Sequence, residues 1–144
     1  MIENFKFSTD VDVRISDINY GGHLGNDRYL SLFQEARLHY LKQFGFSELS
    51  IGENISLIMS QAHINFKSEV FWGDQLKIFV RISSIKATRF IFEYLIVANQ
   101  NDEKVIATGY TEMVGFDYQQ RKVKRLPPEL LHVIQDYEPA VEIF

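Results

Sequence analysis

Cysteine is absent from this chain of 144 residues, which removes disulfides, thiolate nucleophiles and cysteine-ligated zinc from consideration. Positive charge is also short. Fifteen Lys and Arg stand against nineteen Asp and Glu, a net charge of −4, whereas nucleic-acid binders normally carry a basic excess. The longest uncharged stretch, Asn54 to Phe66, is too short and too polar to span a bilayer, so no membrane partner is expected. The start, Met1-Ile2-Glu3-Asn4, lacks the charged and apolar regions of a signal peptide, so a cytoplasmic protein is expected. The four histidines show no His-x-x-x-His or similar spacing, and no metal is expected. No GxGxxG or Walker pattern occurs. Nor does any repeat, low-complexity tract or linker divide the chain, so residues 1–144 read as a single domain of ordinary composition, 46% hydrophobic and 24% charged.

What is present is a polar, glycine-rich loop from Arg14 to Asp27, set between a strand pattern and the one long amphipathic stretch. Gly21, Gly22 and Gly25 let backbone approach a ligand closely. A helix N-terminus follows, where unpaired N–H groups and the dipole favour negative charge. Such a loop can hold a polarised carbonyl or an oxyanion. From Asn26 or Asp27 to Phe44, the residues Tyr29, Leu30, Phe33, Ala36, Tyr40, Leu41 and Phe44 recur at three- and four-residue spacings, which predicts a helix of nearly nineteen residues. Asn26 and Asp27 read as N-caps and Gly45 as the C′ residue. Leu38 falls off the stripe and points to a second covered surface.

Around this helix the periodicity is that of strands. Phe5 to Ile15 reads as extended, and Phe46 to Ile51 as one short helical turn. Ile58, Ala62, Ile64 and Phe66 then share a face opposite Gln61, His63, Asn65, Lys67 and Glu69. After a turn at Phe71-Trp72-Gly73-Asp74, Leu76, Ile78, Val80 and Ile82 alternate with polar neighbours. Lys86-Ala87 connects to Phe90, Phe92, Tyr94 and Ile96, with Ile91, Leu95 and Val97 on the opposite face. Asn99 to Asp102 reads as a hairpin loop, Val105 to Phe116 as the last long strand, and Pro127-Pro128 as the start of a helix to about Tyr137. Short hairpins force antiparallel neighbours, so the fold class is α+β: five antiparallel strands wrapped around one long helix. The doubly apolar fourth strand needs cover on both faces, from the tail helix or, as the preferred reading, from a homo-oligomer.

The set Asp17, Asn19, Gly22, His23, Leu24, Asn26, Tyr29, Leu30, Phe33, Ala36, Arg37, Gly73 and Asp74 resembles the hotdog-fold acyl-CoA thioesterases of the 4-hydroxybenzoyl-CoA thioesterase type. The likeness runs from about Val11 to Phe116. It implies an acyl-CoA substrate, no organic cofactor, and a homodimer joined edge to edge, often paired again into a homotetramer, with sites at the dimer interface. It also implies an oxyanion donor at the Asn26 backbone N–H, together with Gly25, and a carboxylate acting on water or the carbonyl carbon.

This chain departs from the family where the catalytic aspartate usually stands, which here is Asn19. An amide can orient water or donate to an oxyanion, but it is no base at neutral pH. Glu69 and Asp17 are equal candidates for the carboxylate role, followed by Glu35, which lies beside Gln34. His23 either assists at the thioester or pins the loop. His39 and His132 are expected to face solvent, His63 to serve an interface, and Arg37 to pair with a carboxylate such as Asp17. Arg121, Lys122, Lys124 and Arg125 read either as a solvated turn or as a site for coenzyme A phosphates. The leading expectation is acyl-CoA hydrolysis to a free acid and coenzyme A. The alternative is a non-hydrolytic binder of acyl-CoA or acyl-carrier-protein thioesters, and third comes a hydratase or dehydratase, for which no clear Asp/His pair exists.

Overall fold

The computed structural model describes residues 2–99 and 104–144. In chain order it contains β1 (Phe7–Asp12), α1 (Tyr29–Lys42), β2 (Ser56–Phe66), β3 (Gln75–Ile85), β4 (Arg89–Ala98), β5 (Lys104–Asp117), β6 (Lys122–Val123), α2 (Pro128–Tyr137) and β7 (Glu142–Ile143). Single 3-10 turns occupy Ile2–Asn4, Ile15–Asp17 and Asn26–Arg28. The long strands lie in the order β1-β3-β4-β5-β2, all antiparallel, with β6 added to β5 and β7 running parallel to β3. This is the expected α+β layout, one curled sheet around one long helix, enlarged by two strands of two residues each.

The helix is held by what its inner face buries. Phe33, Ala36 and Tyr40 are wholly enclosed, and Tyr29, Leu32, Arg37 and Leu41 are buried beside them. The Phe33 ring stacks on Tyr94 of β4, centroids 4.2 Å apart and planes 6° from parallel. A Cβ at Gly109 of β5 would stand 2.8 Å from Phe33 Cε2, so the bare glycine permits the helix to settle this close to the sheet. Truncating such a ring to alanine costs about 3–5 kcal/mol. Leu30 and Leu38 stay more than a third exposed, while Leu32, outside the expected stripe, is buried.

Several local expectations are corrected. Neither Asn26 nor Asp27 caps the helix: Gly25 and Arg28 occupy the cap positions, and neither makes a side-chain capping bond. The first strand ends at Asp12, because Arg14 to Asp17 tightens into a 3-10 turn closed by the Asp17 carboxylate on the Arg14 N–H at 3.0 Å. Phe46 to Ile51 forms no helical turn. Ser47 and Ser50 instead exchange backbone hydrogen bonds, and Ser47 Oγ accepts from Ser50 N–H. In β2 the register slips between Met59 and Gln61. Buried Leu57 and half-buried Ile64 therefore serve one core despite opposite parity, and strict alternation fails there. The faces of β3 and β4 fall as their alternation predicts, and α2 begins at Pro128 and ends at Tyr137. Residues 100–102 of the expected hairpin loop lie outside the described residues.

Part of the second apolar face of the sheet is covered by the chain's own N-terminal turn, not by the tail helix. Phe79, Leu95 and Val97 are buried beneath Ile2 and Phe5 of the N-terminal turn, with Phe5 and Phe79 ring centroids 5.9 Å apart. Helix α2 instead closes an end of the main core, through Leu130, Ile134 and a ring cluster of Tyr40, Phe44 and Tyr137.

Candidate active site

Between β1 and α1 the chain folds into a closed polar loop. Asn19 N–H donates to the His23 carbonyl at 2.9 Å, and Gly22 N–H to the Asn19 carbonyl at 3.1 Å. The Asn19 side-chain oxygen accepts from Gly21 N–H at 2.8 Å, an Asx turn. Ile18 and Leu24 bridge the loop's mouth. The loop is then tied to the β2–β3 connection by Leu24 N–H donating to the Val70 carbonyl at 2.7 Å. That single bond sets His23 beside Glu69, far apart in sequence.

The result is a cavity of about 350 Å³ whose lining includes Asn19, His23, Asn26, Tyr29, Phe66 and Glu69. Its aromatic wall is Tyr29 set edge-on to Phe66, centroids 4.9 Å apart. Burial holds the Tyr29 hydroxyl above its ordinary pKa, so it stays protonated and neutral. His23 Nδ1 stands 3.2 Å from the Leu24 carbonyl oxygen. Donation from Nδ1 leaves Nε2 of the neutral ring as an acceptor. A Cβ at Gly21 would lie 3.1 Å from that Nε2 and 3.3 Å from Asn19 Oδ1, so the absent side chain is what keeps both groups clear.

At the helix mouth Gly25 N–H donates to the Asp17 carbonyl at 3.0 Å, which removes Gly25 from the expected pair of oxyanion donors. The Asn26 N–H has no hydrogen-bond partner among the described residues. A free donor at the positive end of a helix, next to a carboxylate and an imidazole, suits an acyl carbonyl that becomes an oxyanion.

The remaining candidates lie elsewhere. The Asp17 carboxylate is buried and turned to the Arg14 backbone N–H and guanidinium, beside a separate groove that also meets Glu35. Glu35 pairs there with exposed His39 at 3.1 Å. His63 stacks on Tyr110, and His132 is exposed. Arg37 pairs with Glu48 and donates to the Tyr94 hydroxyl at 2.9 Å, not with Asp17 as expected. The basic cluster occupies the β5–β6 hairpin, where Arg121 lies over the Phe116 and Tyr118 rings. Phe116 pairs with Ser56, the first residue of β2, whereas the cavity meets Phe66, the last. The sequence reading missed Tyr29 and Phe66 as site walls, because aromatic residues at such spacings read first as core.

Comparison with known proteins bears on the fold and family of the chain. The pattern of the thioesterase-like superfamily matches residues 13–134. The chain is 27% identical to the acyl-CoA thioesterase YbgC of Haemophilus influenzae over 101 residues, 69% of this chain and 74% of that protein. A 1,4-dihydroxy-2-naphthoyl-CoA thioesterase from Synechocystis superposes with a TM-score of 0.81 at 25% identity, over 90% of this chain and 96% of that one. A probable thioesterase from Bartonella henselae gives 0.72 at 26% identity, over 84% of this chain and 97% of its own.

Proposed function

Because this chain belongs to the thioesterase-like superfamily, we propose that it hydrolyses an acyl-CoA thioester to a free acid and coenzyme A. The observation that carries this reading is that Asn26, whose N–H is unpartnered among the described residues, lines the same cavity as Glu69, His23 and Asn19. The Glu69 carboxylate takes a proton from water as the water oxygen attacks the carbonyl carbon. The carbonyl oxygen becomes an oxyanion on Asn26 N–H. Collapse of the tetrahedral adduct breaks the C–S bond, and the departing thiolate takes the proton that Glu69 holds. His23 Nε2 orients the water. General-base assistance of this kind is worth about 10²–10⁴ in rate.

A homodimer completes the site. Strand β2 is a sheet edge of eleven residues without one charged side chain, and it leaves Met59 and Phe66 38% and 54% exposed. Soluble proteins usually guard such an edge with charge or cover. Two copies paired antiparallel through β2 satisfy both backbones with one self-complementary contact. That pairing sets the start of one β2 beside the end of the other. The basic hairpin of one subunit, with Arg121, Lys122 and Lys124, then stands near the cavity of its partner, placed for the coenzyme phosphates. Coenzyme A thioesters as substrates fit a cytoplasmic enzyme.

A second reading rests on Asn19. Its side-chain oxygen is engaged by Gly21 N–H, as in an ordinary turn residue, and this favours an acyl-thioester binder without hydrolysis. Thiol release from a panel of acyl-CoAs separates the two. Turnover by the wild type, reduced about 10²-fold or more in Glu69→Gln with KM nearly unchanged, supports the enzyme. Rates equal to buffer across all chain lengths, with retained binding, support the binder.

A further inference from the structure

At the end of the molecule where β1 and β2 finish and β3 begins, large apolar side chains stand in solvent. Ile15 is 71% exposed, Trp72 67% and Phe71 49%, and Tyr20 is wholly exposed. Each sits on a turn: Ile15 on the 3-10 turn after β1, Tyr20 on the Asx turn of the polar loop, Phe71 and Trp72 on the turn into β3. Backbone hydrogen bonds tie these turns into one unit. Val13 N–H donates to the Asp74 carbonyl at 3.0 Å, Gly73 N–H to the Val13 carbonyl at 3.4 Å, and Leu24 N–H to the Val70 carbonyl at 2.7 Å. None of these apolar side chains lines the candidate site or the groove beside Asp17. A β2-to-β2 dimer is built on the opposite edge of the sheet from β1, which leads into this unit. Charge here is balanced: exposed Arg14, Arg28 and Lys67 stand against exposed Asp12, Asp27 and Glu69.

We propose that these tips seat the protein on the surface of a lipid bilayer with zwitterionic headgroups. Apolar side chains carried on separate turns suit a soft layer that moulds around each of them, whereas a protein partner has to match them with shaped pockets. Trp72 and Tyr20 join an apolar ring to a polar N–H or O–H, the combination that settles at headgroup level. Ile15 and Phe71 add purely apolar surface to bury. Balanced local charge calls for no anionic lipid, and a net charge of −4 on the chain disfavours one. The contact is peripheral, since no helix among the described residues is long and apolar enough to cross a bilayer. The expectation of no membrane partner rested on that same want of a spanning segment. Tyr20 shares its loop with Asn19 and His23, and Glu69 lies two residues before Phe71, so docking holds the candidate site beside lipid. The proposal stands on this surface alone and not on the thioesterase reading.

Trp72 is the chain's only tryptophan, so its fluorescence reports on this surface without a label. The test mixes the full chain with phosphatidylcholine vesicles. The protein is expected to float with them, its emission moving to shorter wavelength and being quenched by lipids brominated along the acyl chain. The double variant Ile15→Ser, Tyr20→Ser removes exposed side chains and keeps the probe, and it is expected to partition about tenfold or more weakly. Should its melting curve depart from that of the wild type, quenching of wild-type Trp72 decides by itself. Adding phosphatidylglycerol or salt is expected to change partition by less than about twofold. Wild-type protein that stays in the aqueous fraction with unshifted emission overturns the proposal, as does equal partition of a well-folded double variant. So does binding that needs phosphatidylglycerol and is lost in salt, which is attraction to charge. An emission shift that follows protein concentration and ignores vesicles also overturns it, and gives this surface to a second copy of the chain.

Discussion

The Leu24 N–H reaches the Val70 carbonyl at 2.7 Å, and through that bond two loops that flank different elements become one wall. One loop brings Asn19 and His23, the other Glu69, and the mouth of α1 closes the space between them with Asn26. Backbone, not side chain, does the joining.

Asn26→Pro deletes the proposed oxyanion donor with little else. Gly25 before it lies at φ −68° and ψ 140°, the extended conformation that a following proline requires, and the first helical position tolerates proline. The variant is expected to fold normally and to lose about 10²–10³ in kcat, with KM changed far less. Steady-state thiol release beside a melting curve checks both halves.

Gly21→Ala places a methyl 3.1 Å from His23 Nε2 and 3.3 Å from Asn19 Oδ1. Backbone strain is not at issue, since Gly21 is not among the residues of positive φ. Activity is expected to fall by about tenfold or more as the imidazole is displaced, with a stability change of about 1 kcal/mol or less. Equal activity in mutant and wild type would remove His23 from the reaction.

Replacing Arg121, Lys122 and Lys124 with glutamine tests the coenzyme site. KM for an acyl-CoA is expected to rise about tenfold with kcat nearly constant, and added salt should raise the wild-type KM by the same route. A dephosphocoenzyme A thioester should respond much less to the substitutions.

Glu138 gives a pH signature independent of catalysis. Its carboxylate is buried, accepts from the Tyr40 hydroxyl at 2.8 Å and from Ile82 N–H at 3.3 Å, and is held above the ordinary carboxylate pKa. Desolvation raises it and outweighs the lowering by Tyr40, Ile82 and the charges of Arg81 and Lys6. A raised folded pKa means that the folded state binds the proton more tightly. Its stabilising contribution is full below the unfolded value, near pH 4, and is lost as pH rises through the folded value. Glu138→Gln keeps an acceptor for both donors without the charge. It should melt a few degrees above wild type at pH 7, a gain that vanishes toward pH 4.

Much of this architecture was legible in the residues. The alternation of Leu76 to Ile82 and of Phe90 to Ile96, and the spacing of Phe33, Ala36 and Tyr40, announce one sheet and one helix. The polar loop marks where the candidate site lies. What stayed hidden depends on tertiary contacts. Nothing in the spacing says that Arg37 turns to Tyr94 and Glu48, or that Gly25 gives its N–H to Asp17. Register slips such as that in β2 swap faces without altering composition, so periodicity fails there for a geometric reason. The choice between Glu69 and Asp17 could not be made from chain position, because a loop–loop bond sets Glu69 at the cavity and a local turn withdraws Asp17.

The turn at Ile2–Asn4 is separated from the patch it shelters by more than half the length of the sheet-forming chain. Phe79, Leu95 and Val97 come together only when β3 and β4 have met. Until Ile2 and Phe5 return to that patch, a nascent molecule presents an oily outer surface to its surroundings. A bulky tag fused ahead of Ile2, or trimming through Phe5, would prolong that exposure and show as lower soluble yield, even with every group of the reaction centre intact.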